Sequence, residues 1–208
     1  MHMNSPLNFG SWLFSGNDNV VDRNMDNAKK ILEGAGWQFS YGYWSKIENY
    51  KTIRIKLTLV VNNDISARGT VGDVIAAQLN EIGMQINLIK VNSQVYNNYL
   101  QNKNYDMILT GTNLSANPSL KYYLGENNIS NYSNEELTNI LNDVKNISDE
   151  SLLKEKYKRL DEIFMEDKPS ISLYTNKIYL AYNSELSGTI KPTWFNIFNN
   201  IETWYKTK

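Results

Sequence analysis

Cysteine is absent from the 208 residues. That one absence excludes disulfides, zinc–thiolate sites, redox dithiols and cysteine nucleophiles together. Histidine occurs once, at His2, inside Met1-His2-Met3, a triplet that reads as a tag or cloning remnant. With no other histidine, a Ser-His-Asp relay, imidazole metal sites and ordinary histidine acid–base catalysis are excluded as well. Long apolar runs are missing: Leu57 to Val61 is typical, far short of the ~20 residues a membrane span needs. There is no excess of basic charge. Lys and Arg number 21 against 22 Asp and Glu, a net charge of −1, which leaves no basic stripe for nucleic acid. The opening residues show no signal-peptide pattern. A chain that opens on a cloning remnant is expected to be a piece of something longer.

What remains is the composition of a folded chain. Hydrophobic residues make up 41% and charged residues 21%. A chain of this length buries roughly 70% of its unfolded surface and needs no covalent staples. Asparagine is unusually common, at about thirty residues, which reads as AT-rich coding rather than an asparagine-specific function. Five Trp and 14 Tyr supply flat faces with a polar tip, suited to small organic ligands or peptides, although core packing uses the same residues.

Periodicity gives the organisation. Residues 4–24 lack a clean period and read as an extended arm, whose Phe9, Trp12 and Phe14 must bury somewhere. A short helix is expected from Asp26 as N-cap, with Ala28, Ile31 and Leu32 on one face and Gly34 or Gly36 as the stop. Residues 53–61 alternate Ile53, Ile55, Leu57, Leu59 and Val61 against Arg54, Lys56, Thr58 and Val60, the clearest strand. A helix over Thr70–Ile82 follows, burying Val71, Val74, Ile75, Leu79 and Ile82, with Gly83 as cap. Gln85–Val91 is a second strand, so the segment forms a βαβ unit with a parallel pair. The pattern repeats with a helix carrying Val95, Tyr96, Tyr99 and Leu100 and a buried strand Tyr105–Thr110. The loop Gly111–Pro118 lies at that strand's C-terminal end, where open α/β sheets place ligands. Two amphipathic helices come next. One starts at Ser133 with Glu136 closing a capping box and buries Leu137, Ile140, Leu141 and Val144. The other starts near Ser148, buries Leu152, Leu153, Tyr157, Leu160 and Phe164, and ends before Pro169. Ser170–Thr175 and Ile178–Tyr182 read as strands.

Candidate chemistry is sparse. Asp161-Glu162 and Glu166-Asp167 are the densest carboxylates, but they interleave with Lys154, Lys156, Lys158 and Arg159 on the polar side of a helix and read as a solvated face rather than a glycosidase pair. No phosphate loop, Ser–Lys motif or calcium loop is present. Gly34-Ala35-Gly36 follows a helix and reads as its C-cap. Tyr122, Tyr123 and Tyr132 flank the loops after the third strand. No catalytic, cofactor or metal-binding residue is assigned.

Five segments in order resemble one family. They are NAKKILEGAGW at 27–37, the strand–helix run 53–91 ending in QLNEIGMQINL, YDMILTGTNLSANP at 105–118, NYSNE at 131–135 and KPSISLY at 168–174. Together they resemble the C-terminal part of the extracellular solute-binding proteins, family 5, the oligopeptide- and dipeptide-binding type of ABC importers. The resemblance implies a periplasmic-binding-protein-like α/β lobe, with a mixed, mostly parallel sheet flanked by helices and extended N- and C-terminal arms. It implies an arm over 1–25 (remnant at 1–3), a ligand-binding lobe over 26–175, and a segment over 176–208 that returns toward a first lobe missing from this chain. It further implies a peptide or other small solute as cargo, a membrane permease as partner, hinge closure as mechanism, and an extracellular location, lipid-anchored or periplasmic. The ligand-binding residues expected are Gly111, Thr112, Asn113, Leu114, Ser115, Asn117 and Tyr132. Peptide-binding members often carry a Trp after the Gly and an Asp three residues on. Here Thr112 stands at the first position and Leu114 or Ser115 near the second, so α-amino capture by a carboxylate is not expected. The readings left open beside this one are a surface interaction or adhesion module and a carboxylate-based hydrolase.

Overall fold

The computed structural model describes residues 5–7, 10–14, 22–111, 119–175, 179–193 and 195–207. The chain divides into two compact units, Asp22–Thr112 and Met1–Val21 with Asn113–Lys208. The lobe expected over 26–175 takes in nearly all of the first unit and part of the second.

The first unit begins with helix α1 (Met25–Gly34), capped by Asn24, whose side chain accepts from the Asn27 amide. Asp26 therefore lies inside the first turn rather than at the cap. Three short strands follow as an antiparallel ribbon: β1 (Gln38–Ser40), β2 (Tyr43–Glu48) and β3 (Lys51–Arg54). Both connections are two-residue turns, Tyr41-Gly42 and Asn49-Tyr50, with positive φ at all four residues (52°, 82°, 49° and 60°). That turn form matches the twist of paired strands. The sequence reading left this ribbon out.

The strand expected over 53–61 is two strands in two sheets. β3 ends at Arg54, and β4 (Lys56–Asn62) starts a parallel sheet. Ile55, between them, donates its amide to the Trp44 carbonyl of the ribbon and accepts from the Gln85 amide of the next sheet (3.1 and 3.0 Å). Alternation continues across Ile55, so the side-chain pattern conceals the exchange of hydrogen-bond partners. Helix α2 (Ser66–Glu81), strand β5 (Gln85–Val91), helix α3 (Ser93–Asn102) and strand β6 (Met107–Leu109) complete the unit. The sheet order is β5-β4-β6, all parallel, with Leu57 opposite Ile86 and Val60 opposite Ile108. β4 is central, and Leu59, Val60 and Val61 are all buried, so both of its faces are covered.

Helix α2 turns a different face to the sheet than its branched residues indicate. Its buried residues are Gly69, Gly72 and Ala76, while Val74 is 50% exposed and Val71, Ile75 and Leu79 are half-buried. Small residues let the helix backbone approach the sheet closely. A methyl added at Gly72 would lie 2.8 Å from Val61 Cγ2 and 3.4 Å from Leu88 Cδ1. Val61 is buried and β-branched, so it has little freedom to give way. Gly72→Ala is expected to cost about 1–3 kcal/mol through overpacking, read as a lowered urea midpoint.

The second unit is helical. Its helices are α4 (Lys121–Leu124), α5 (Glu135–Asp143) and α6 (Glu150–Asp167). Leu120, Leu124, Leu137, Ile140, Leu141, Tyr157, Leu160, Ile163 and Phe164 form its core, together with Leu7 and Leu13 from the N-terminal arm. The arm thus anchors through its leucines. Trp12 stays partly exposed over the Lys154 ammonium at 5.7 Å, Phe14 is half-buried, and Phe9 lies outside the described residues. α5 is capped by Asn134, accepting from the Leu137 amide, and α6 by Asp149, accepting from the Leu152 amide. The capping box expected at Ser133 and Glu136 does not form, because Glu136 pairs with Arg159 instead. Leu152 is largely exposed. Asp161, expected on the solvated face, is 1% exposed beside Leu160.

The segment 170–175 makes one bridge, at Tyr174, and no strand, and no strand occurs over 179–182. Strands need a ladder partner, and the described residues supply only that bridge. Ser172 Oγ instead donates to the Ser5 carbonyl (2.9 Å). Further on, β7 (Leu186–Ser187) and β8 (Tyr205–Lys206) pair antiparallel.

Candidate ligand site

In open parallel α/β sheets, ligands meet the C-terminal ends of the strands, at the point where strand order reverses. From β4 the chain crosses to β5 on one side, then returns past β4 to β6 on the other. The order reverses at β4, so the candidate edge is the C-terminal ends of β4 and β6. The β4 end is held by a polar bracket. Asn62 Nδ2 donates to Ser93 Oγ (3.0 Å), and the Ser93 amide and hydroxyl donate to Asp64 Oδ2 (2.7 and 2.6 Å). These bonds from Ser93 hold the Asp64 carboxyl below its ordinary pKa. At the C-terminal end of β6 the Tyr96 hydroxyl donates to the Leu109 carbonyl (2.9 Å), and at its N-terminal end Asp106 Oδ2 accepts from the Thr58 amide (2.7 Å).

Gly111 sits two residues beyond β6. A methyl built there would lie 2.9 Å from Arg68 Nη2, so this glycine leaves room for the guanidinium of α2's first turn. Arg68 is the residue that the sequence reading missed at this edge. Its only sequence signal is a position six residues beyond the central strand's end, which in a parallel sheet delivers a side chain to the C-terminal edge. Of the expected ligand-binding residues, Thr112, Asn113, Leu114, Ser115 and Asn117 lie outside the described residues.

Tyr132 belongs to the second unit, in a loop built around Asn128. The buried Asn128 amide donates to the carbonyls of Gly125 and Tyr132 (2.8 and 2.6 Å), and its oxygen accepts from Ser130 and Tyr132. The Tyr132 hydroxyl donates to Asp167 Oδ2, which also accepts from Asn134 Nδ2 (2.9 Å). Burial, then the Asp167 carboxylate, hold the Tyr132 phenol above its ordinary pKa. The hydrogen bonds from Tyr132 and Asn134 hold Asp167 below its own. A carboxylate with a depressed folded-state pKa stabilises the fold above its unfolded value of about 3.9, and that contribution is lost as pH falls through the folded value. The melting temperatures of the parent chain and Asp167→Asn should therefore differ near pH 6 and converge as the pH falls through the depressed folded-state value, as followed by circular dichroism.

Three of the four α6 carboxylates singled out in the sequence are accounted for by the fold. Asp161 is buried, Glu162 pairs with Arg159, and Asp167 accepts from Tyr132 and Asn134. Among the described residues no group of three or more His, Cys, Asp or Glu could hold a metal ion, and no helix is long and apolar enough to cross a membrane.

This architecture has known relatives. The family described as "Bacterial extracellular solute-binding proteins, family 5 Middle" matches residues 2–133. The oligopeptide-binding protein AppA of Bacillus subtilis is 25% identical over 214 residues, covering 98% of this chain but 38% of that protein. The solved structure of AppA in complex with a nonapeptide superposes with a TM-score of 0.75 at 24% identity, over 100% of this chain and 43% of the other. NikZ from Campylobacter jejuni, in complex with Ni(L-His), gives 0.72 at 20% identity, over 99% and 43%. The chain thus spans about two fifths of the length of these relatives and has the α/β fold of periplasmic binding proteins. With well over half of its residues matched in order, the chain belongs to the bacterial extracellular solute-binding proteins, family 5.

Proposed function

We propose that the chain is one ligand-binding lobe of the substrate-binding component of an ABC importer, taking up peptides or similar small solutes. The observation that carries this is the family match over residues 2–133, on a chain that covers nearly all of itself but 38% of AppA. The C-terminal edge of the β5-β4-β6 sheet supports a ligand surface there, and Gly111, two residues beyond β6, lies on that side. Binding between this lobe and a first lobe from outside the chain would stabilise a closed form by differential affinity, which is the thermodynamic content of hinge closure. No bond is made or broken. Residues 176–208 return toward the first lobe, the permease is the membrane partner, and the location is extracellular, lipid-anchored or periplasmic.

Native mass spectrometry on the whole protein that carries these residues, purified without refolding, tests the reading. A small mass retained on it, lost on denaturation and absent from the 208-residue chain, is the expected result. No bound mass, followed by no thermal shift with a peptide library, would count for an interaction module and against solute capture.

A further inference from the structure

The ribbon β1-β2-β3 carries a tyrosine at each tip, in a conformation that suits glycine. Tyr41 opens the first turn at φ 52°, and Tyr50 closes the second at φ 60°. Left-handed backbone is an outlier for a bulky side chain. Both rings are almost wholly exposed, so no burial within the chain offsets that cost. β2 has six residues, which sets the two tips about 20 Å apart. Between them runs the ribbon face turned away from the buried Trp44. It holds Tyr43, Ile47, Thr52 and Arg54, with Ile47 76% exposed and the Arg54 guanidinium stacked on the Tyr43 ring at 3.9 Å. The ribbon is also basic in a chain of net charge −1: residues 38–56 contain Lys46, Lys51, Arg54 and Lys56 against Glu48 alone. Glu48 is paired with Lys46, which leaves Lys51 and Arg54 without a counter-charge among the described residues.

We propose that this ribbon rests on an anionic membrane surface, with Tyr41 and Tyr50 in the headgroup layer and Lys51 and Arg54 on lipid phosphates. A protein partner would call for apolar groups gathered in one core from which lysine is depleted. Here the apolar groups stand apart, with cations among them. A bilayer interface takes that arrangement, since tyrosine settles at headgroup depth and basic side chains are drawn to anionic lipid. The proposal goes beyond the solute-binding reading and stands without it.

The test is cosedimentation of the 208-residue chain with excess vesicles, phosphatidylglycerol mixed into phosphatidylcholine against phosphatidylcholine alone. Partition onto the anionic vesicles is expected to be about ten-fold or more higher, at roughly five-fold for each cation near a charged surface. It should vanish in about 1 M salt, where the screening length is about 3 Å. Tyr41→Asn combined with Tyr50→Gly should weaken binding several-fold and raise the melting temperature, because both replacements suit these turns. Lys51→Gln combined with Arg54→Gln should remove the preference for anionic vesicles. Equal partition onto the two vesicle types, a preference that survives either double variant, or no vesicle binding at all overturns the proposal. A complex with poly-glutamate formed where vesicles fail would assign the ribbon to an acidic protein surface, and overturns it as well.

Discussion

Trp44→Ala should destabilise the α/β unit by about 3–5 kcal/mol, the range for emptying a buried aromatic site. Trp44 is 0% exposed. Its ring lies 5.1 Å from Phe39, tilted by 50°. Its indole Nε1–H donates to the Ile82 carbonyl at 2.6 Å, just beyond the end of α2, and its own carbonyl accepts from the Ile55 amide. One residue of the ribbon therefore holds both the helix end and the crossing point between the sheets. Alanine opens a cavity and strands the Ile82 carbonyl. Trp44→Phe refills most of the cavity and loses only the hydrogen bond, so its cost should fall to about 1–3 kcal/mol. Urea denaturation followed by circular dichroism measures both. Equal losses for the two variants would place the energy in the hydrogen bond and refute the cavity argument.

Leu160→Ala should have a comparable effect in the helical unit, about 3–5 kcal/mol. Leu160 is 0% exposed and lies in the cluster that joins α5, α6 and the arm leucines. Leu152 supplies the control on the same helix. It is 41% exposed, and Leu152→Ala should stay within about 0.5 kcal/mol. Thermal melts of the two variants give the comparison directly. Similar shifts for both would mean that the face of α6 is assigned wrongly.

Those two leucines also show what the sequence carries and what it conceals. Residues of α6 recur with helical spacing from Leu152 to Phe164, so the helix itself is legible. Its buried edge is set by where α5 packs, and that moved Leu152 outward and drew Asp161 inward. In α2 the apolar valines point to one face, while the sheet is met by Gly69, Gly72 and Ala76. Hydrophobicity assigns no pull to a glycine, yet close approach depends on its missing side chain. The βαβ order and β5 were readable to the residue because a seven-residue apolar strand has few alternatives. The ribbon over 38–54 was not, since its strands have three to six residues and its turns carry a single glycine. At the candidate site, the position after β6 was legible from strand order. Arg68 was not, because a lone cation in a first helical turn looks like any solvated one until Gly111 is seen beside it.

The asparagines, read first as a trace of coding bias, occupy defined places. Asn24, Asn92 and Asn134 each accept a backbone amide at the start of α1, α3 and α5. An amide oxygen has no proton to gain in mild acid, whereas the bonds that tie elements together run through Asp64, Glu136 and Asp167. Acidification therefore divides the molecule by level of structure. It loosens these three ties while leaving the three asparagine-capped helix starts intact, so on a descending pH the starts of α1, α3 and α5 outlast them.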